Sequence, residues 1–139
     1  MADEIKIQLE IVAPDKALLA VTVDSVTIPG MDGDFSILPG HTPFLAALRN
    51  DVMTTRSNSS TKHYAINGGY AEVRDNKVII LTHTVEAADE IDVERAKKAH
   101  ERAERKLRGE EGPNIDFRRA QLALQRAVVR LQATGHLRP

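Results

Sequence analysis

The spacing of apolar residues changes period once along this chain, and that change constrains the fold more than any motif does. Up to about residue 90 the dominant repeat is two. Ile5, Ile7, Leu9 and Ile11 alternate with Lys6, Gln8 and Glu10, which puts the apolar set on one face of a half-buried strand. Residues 21–23, 26–28 (closed by Pro29-Gly30) and 35–38 (closed by Pro39-Gly40) read as further short strands, followed by 63–66, 70–73 and 78–81. Between the last two, Asp75-Asn76 tolerate positive φ and predict a tight hairpin. Many short strands at close spacing predict an antiparallel β-sandwich or barrel.

From Ile91 the period becomes helical. Ala96, Ala99, Ala103 and Leu107 form a narrow small-residue stripe, with Asp92 placed to cap the helix or to support its positive first turn. After Gly109-Glu110-Glu111-Gly112-Pro113-Asn114, a wider apolar face recurs at Phe117, Ala120, Ala123, Leu124, Ala127, Val128 and Leu131. Two helices joined by a Gly/Pro turn predict an antiparallel helical hairpin. Burying an alanine methyl removes little apolar area at roughly 25 cal/mol per Å², so such a seam is weakly held and able to open. The expected organisation is therefore a β-sandwich over residues 1–88 and a helical hairpin over 89–139.

Composition excludes several classes. A 139-residue chain with 42% hydrophobic and 28% charged residues is neither disordered nor fibrous. With no cysteine it has no disulfide framework, thiolate metal site or cysteine nucleophile. Met1-Ala2-Asp3-Glu4 has no basic n-region and leads into no long apolar run, which predicts a chain without signal or membrane span and a cytoplasmic location. The net charge of −1 hides an asymmetry: residues 1–90 carry 7 Lys/Arg against 13 Asp/Glu, and residues 91–139 carry 12 against 7. A basic tail of this kind suits an acidic partner, an anion or its own acidic first half.

The residues that carry candidate chemistry lie in that tail. Arg95 and Arg102 are seven apart and Arg126 and Arg130 four apart, so each pair shares a helix face, and folding the hairpin gathers four guanidiniums suited to a polyphosphate. Ordinary solvated helix charge explains the same spacing, with pairs such as Glu101 and Arg105 supporting helicity. No catalytic set accompanies them. The histidines at 41, 63, 83, 100 and 136 lack metal-ligand spacing, Ser57, Ser59 and Ser60 sit in a polar loop over 56–61 without a paired base, and Gly68-Gly69 reads as a turn. A stand-alone nucleotide-sensing module and a nucleic-acid-binding module stay open as alternatives. The latter has only two tyrosines, three phenylalanines and no tryptophan on which bases can stack.

Three separated motifs now carry a resemblance. They are Met31-Asp32-Gly33-Asp34-Phe35-Ser36-Ile37-Leu38-Pro39-Gly40-His41-Thr42-Pro43, Ile66-Asn67-Gly68-Gly69-Tyr70-Ala71-Glu72-Val73 and Ile91-Asp92-Val93-Glu94-Arg95-Ala96. In order and spacing the chain resembles the ε subunits of bacterial F-type ATP synthases over nearly its whole length, with Ser36 where the family usually has glycine. The resemblance implies a non-catalytic regulatory subunit, peripheral at the cytoplasmic face of the bacterial inner membrane. Its sandwich docks on the γ subunit and the rotor ring of c subunits, and its hairpin regulates rotation. Asp34 is then expected to face the rotor ring and His41 to contact γ. By the same resemblance ATP is a regulatory ligand, with no metal required, at Glu86, Asp92, Arg95, Arg102, Arg126 and Arg130. In an opened hairpin Arg118, Arg119, Arg126 and Arg130 would reach acidic surfaces of the β subunits of the catalytic head.

Overall fold

The computed structural model describes residues 5–138, which form ten strands followed by two helices. The N-terminal alternation becomes strand β1 (Ile7–Ala13), burying Ile7, Leu9, Ile11 and Ala13. Ile5, expected on the same face, is 66% exposed, because the ladder with β2 (Lys16–Val23) starts at the pair Ile7 and Val23 and residue 5 precedes it.

Strands β3 (Ser25–Gly30) and β4 (Gly33–Ile37) form a hairpin. Ser36 lies in β4 opposite Thr27, their hydroxyls 3.0 Å apart, so the departure at this position is absorbed by an ordinary strand. β5 (Phe44–Leu48) and β6 (Asp51–Ser57) were not legible as strands. β5 is apolar at every position and β6 carries Thr54, Thr55 and Arg56, so neither shows the contrast that marks period two. The run 56–61 is a hairpin rather than a loop. Ser57 pairs with Ser60 of β7 (Ser60–Ile66) across Asn58, a residue able to hold its φ of +57°. β8 (Gly69–Arg74) and β9 (Lys77–Leu81) join through Asp75 and Asn76 at φ +51° and +61°, the expected primed turn. β10 (Val85–Ala87) pairs with β7.

The strands follow one hydrogen-bonded path, β10-β7-β6-β3-β5-β8-β9-β1-β2, with β4 added to β3. The path folds over so that β2 packs on β6, closing a sandwich around Leu9, Ile11, Ile28, Met53, Val73 and Ile80. Its pairs are antiparallel except β1 with β9, which is parallel, β9 lying on the side of β1 away from β2. Gly69 lets the start of β8 lie close against the end of β9. A Cβ there would lie 1.7 Å from the Leu81 carbonyl oxygen at a φ of +105°.

A 3₁₀ turn (Ala88–Glu90) leads to α1 (Val93–Leu107), and α2 (Phe117–Ala133) packs against it. Each helix starts at an aspartate. Asp92 accepts from the Arg95 amide, and Asp116 from the Arg119 amide, both at 3.1 Å. The seam buries Ala96 and Ala103 from α1 and Ala120 and Ala127 from α2. Phe117, expected in it, is 54% exposed in the first turn of α2, outside the seam. α2 has a second buried face that the single-face expectation omitted: Val129 and Ala133 cluster with Ala65 of β7, Ile91 and Val52 of β6.

Candidate docking and regulatory sites

That second face brings the basic tail onto the sheet. Beside the small apolar cluster, Arg130 Nε donates to Glu86 Oε1 at 2.6 Å, joining α2 to β10 across 44 residues of sequence. The two side chains are 37% and 29% exposed, so the pair is only partly screened by water. Asn50 Nδ2 donates to Gln125 Oε1 at 3.3 Å, a second polar tie to the same helix. Arg126, Arg130, Glu86 and Asn50 share a cavity of about 20 Å³, room for one water-sized molecule.

A larger cavity, about 500 Å³, lies between the helices. Arg102 and Lys106 of α1 and Arg119 and Arg126 of α2 line it over an alanine floor, with Glu111 and Asp116 toward the connecting loop. Its volume is that of ordinary small-molecule sites, and its cations suit phosphate oxygens.

The six residues expected around ATP therefore fall in three places. Glu86 and Arg130 are paired with each other. Arg102 lines the larger cavity, and Arg126 lines both. Arg95 is exposed in the first turn of α1 and lines neither cavity, while the Asp92 carboxylate is engaged as the helix cap. What the donors fit is phosphate at Arg102 and Arg126, since the 20 Å³ space beside Glu86 is far too small for a nucleotide. Arg118 and Arg119 are both exposed at the start of α2.

At the sandwich, Asp34 is not a solitary acid. Arg49 binds its carboxylate, contacts Asp51 Oδ2 at 2.9 Å and donates to the Gly30 carbonyl at 2.6 Å. The hydrogen bond that Arg49 donates to the Asp34 carboxylate, ahead of the other contributions, raises the Arg49 pKa above its ordinary value and holds the group charged. His41 Nδ1 donates to the Thr42 carbonyl at 2.7 Å and its ring meets Phe44 edge-on at 6.2 Å. Around this edge Met31 and Leu38 are 62% and 59% exposed.

An apolar stripe continues from there over the outer sheet. Leu45 on β5, Tyr70 on β8, Leu81 on β9 and Val12 on β1 are all exposed, and register places Tyr70 beside Leu81 and Leu81 beside Val12. Contiguous exposed apolar surface marks an interaction site. The sequence held a signal for it, because these residues put apolar side chains at both parities of strands whose other face is core.

A β-sandwich carrying two helices, with these edges, has counterparts among known proteins. Residues 6–88 match the model of the ATP synthase delta/epsilon chain β-sandwich domain, and residues 89–135 that of its long α-helix domain. The chain belongs to the ATP synthase delta/epsilon family. It is 45% identical to the ATP synthase epsilon chain of Nitratidesulfovibrio vulgaris (strain DP4) over 96% of this chain and 98% of that one. It is 50% identical to that of Syntrophobacter fumaroxidans over 91% and 94%. A chain in the mitochondrial ATP synthase of Euglena gracilis, in an assembly of OSCP, F1 and c-ring, superposes with a TM-score of 0.72 at 26% identity, covering 86% of this chain and 76% of that one. Among the described residues no helix is long and apolar enough to cross a membrane, and no three His, Asp or Glu side chains group as a metal site.

Proposed function

We propose that this epsilon-type chain is a non-catalytic subunit of the central stalk of an F-type ATP synthase, coupling γ to the rotor ring of c subunits and braking ATP hydrolysis through its C-terminal hairpin. Residues 1–88 form the docking part and residues 89–139 the regulatory part, peripheral at the cytoplasmic face of the bacterial inner membrane. The Asp34 edge meets the rotor ring, and the His41 end, with the apolar stripe through Leu45 and Tyr70, meets γ.

The observation that carries the regulatory half is the slightness of the attachment between α2 and the sheet. Among the described residues, one part-exposed ion pair, one side-chain hydrogen bond and a five-residue apolar cluster hold it. A contact of this size opens without unfolding the sandwich. Once open, Arg118, Arg119, Arg126 and Arg130 are available to acidic surfaces on the β subunits. ATP is the regulatory ligand of the closed form, its phosphates held by Arg102 and Arg126, which adjoin one cavity only when the helices are packed. Binding to the closed form alone at about 100 times the dissociation constant favours it by roughly 2.7 kcal/mol.

Two measurements test this reading. Deleting residues 89–139 from the reconstituted synthase is expected to raise ATP hydrolysis at low ATP, and unchanged hydrolysis rejects the brake. Calorimetric titration of the whole chain with ATP is expected to show one site, and absence of heat at millimolar ATP rejects the ligand while leaving the brake.

A further inference from the structure

The connection between β5 and β6 is two residues long, and its side chains reach opposite ways. Residues 49 and 50 arch over the end of β3, where the Arg49 amide donates to the Pro29 carbonyl at 3.0 Å and Met31 N to Ala47 O at 2.9 Å. Arg49 then turns to the β3–β4 turn, binding Asp34 and the Gly30 carbonyl, while Asp51, the next residue but one, accepts from Arg49 Nε at 3.1 Å. Asn50 points to the hairpin, donating to Gln125 of α2, and lines the small cavity with Glu86, Arg126 and Arg130. The arch has little freedom. Asp51 Oδ1 accepts from the Val52 amide at 2.7 Å, and a Cβ on Gly30 would meet the Gly33 carbonyl oxygen at 2.7 Å.

We propose that the 49–51 turn couples the docking edge to the hairpin, with Arg49 as the positioning residue for Asp34 and Asn50 as the tie to α2. A cationic group on the docking partner competes with Arg49 for the Asp34 carboxylate. Arg49 released from Asp34 loses one of the contacts that pin the arch, and the Asn50 contact to Gln125 weakens with it. Docking on a basic surface thus primes the tail to open, and by linkage a closed tail resists that exchange at Asp34. The inference rests on the proposed docking and braking roles and adds the route between them.

The test uses the full-length chain, nucleotide-free, and reads hydrogen exchange of amides 124–133 of α2 against those of the buried strands β1 and β9. Asp34→Asn imitates neutralisation by a partner cation and touches no atom of α2. It is expected to speed exchange in α2 by roughly twofold to thirtyfold, the range of measured couplings between remote sites, with β1 and β9 unchanged. Combined with Gln125→Ala, its effect is expected to be less than the product of the two single effects, and in an Arg49→Gln background Asp34→Asn is expected to leave α2 unmoved. Should Arg49→Gln also loosen β1 and β9, Arg49→Met, which keeps a long apolar stem and removes both the charge and the donors, takes its place. Unchanged α2 exchange in Asp34→Asn, effects that multiply, or an Asp34→Asn effect that survives loss of Arg49 each overturn the coupling. A failed coupling with hydrolysis still released by deleting residues 89–139 leaves the brake standing, so the two readings fail separately.

Discussion

Replacing Glu86 by glutamine isolates the charge in the junction without changing its shape. The side chain keeps a carbonyl oxygen able to accept from Arg130 Nε at the position where Glu86 Oε1 now accepts at 2.6 Å. What is lost is the Coulomb attraction between the two charges, since Arg130 stays a cation and its bond to the amide oxygen stays charge-assisted. Because Arg130 is 37% and Glu86 29% exposed, that attraction is screened as in other partly exposed ion pairs, which leaves about 1 kcal/mol. That figure is comparable with the apolar share of the contact. Val129, at 5% exposure, packs in the apolar cluster on the sheet, and a buried valine contributes on the order of 1.5 kcal/mol.

A loss of about 1 kcal/mol shifts the closed-to-open ratio about fivefold toward open. Amide exchange of α2 residues 124–133 in the nucleotide-free chain is therefore expected to quicken about fivefold in Glu86→Gln, with β1 and β9 amides unmoved. Since the pair is partly exposed, the gap between parent and variant is expected to narrow in 1 M salt. A charge swap, Glu86→Arg with Arg130→Glu, is expected to restore most of the protection. Equal α2 exchange in parent and Glu86→Gln at low salt would refute the argument that this ion pair fastens the tail.

Arg126→Ala, which removes a lining cation from both cavities and no buried volume, is expected to weaken ATP binding at least tenfold by calorimetry while the melting temperature of the sandwich holds. An unchanged dissociation constant excludes the cavity between the helices as the phosphate site. Asp24 accepts from Lys6 and, at 2.5 Å, from the Asn58 amide, and these bonds, the Lys6 one first, lower its pKa. Its contribution is therefore complete above the unfolded carboxylate pKa of about 3.9 and is lost as pH falls through the lower folded value. Asp24→Asn is accordingly expected to melt below the parent at pH 7, with the gap closing below about pH 4; a gap independent of pH points to packing instead of charge.

The fold was legible where one element faces one environment. β1 and the turn at Asp75-Asn76 followed from alternation and from side chains that tolerate positive φ, and Asp92 caps α1 as expected, while the matching cap at Asp116 was seen only in the structure. Reading stopped where an element serves two neighbours. α2 packs on α1 through Ala120 and Ala127 and on the sheet through Val129 and Ala133, so its apolar positions spread around the helix and a single stripe misses the second face. The same cause hid the exposed apolar stripe, since Tyr70 and Leu81 break the alternation of strands whose inner face is ordinary core. It also divided the arginine set. Spacing along a helix shows which guanidiniums share a face but not which face meets a carboxylate on another element, so it could not show that Arg130 is paired with Glu86 while Arg126 remains at both cavities. The division has a functional consequence. On the proposed regulatory role, a tail fastened by Arg130 closes without nucleotide, and ATP held at Arg102 and Arg126 would reinforce that closed form instead of creating it.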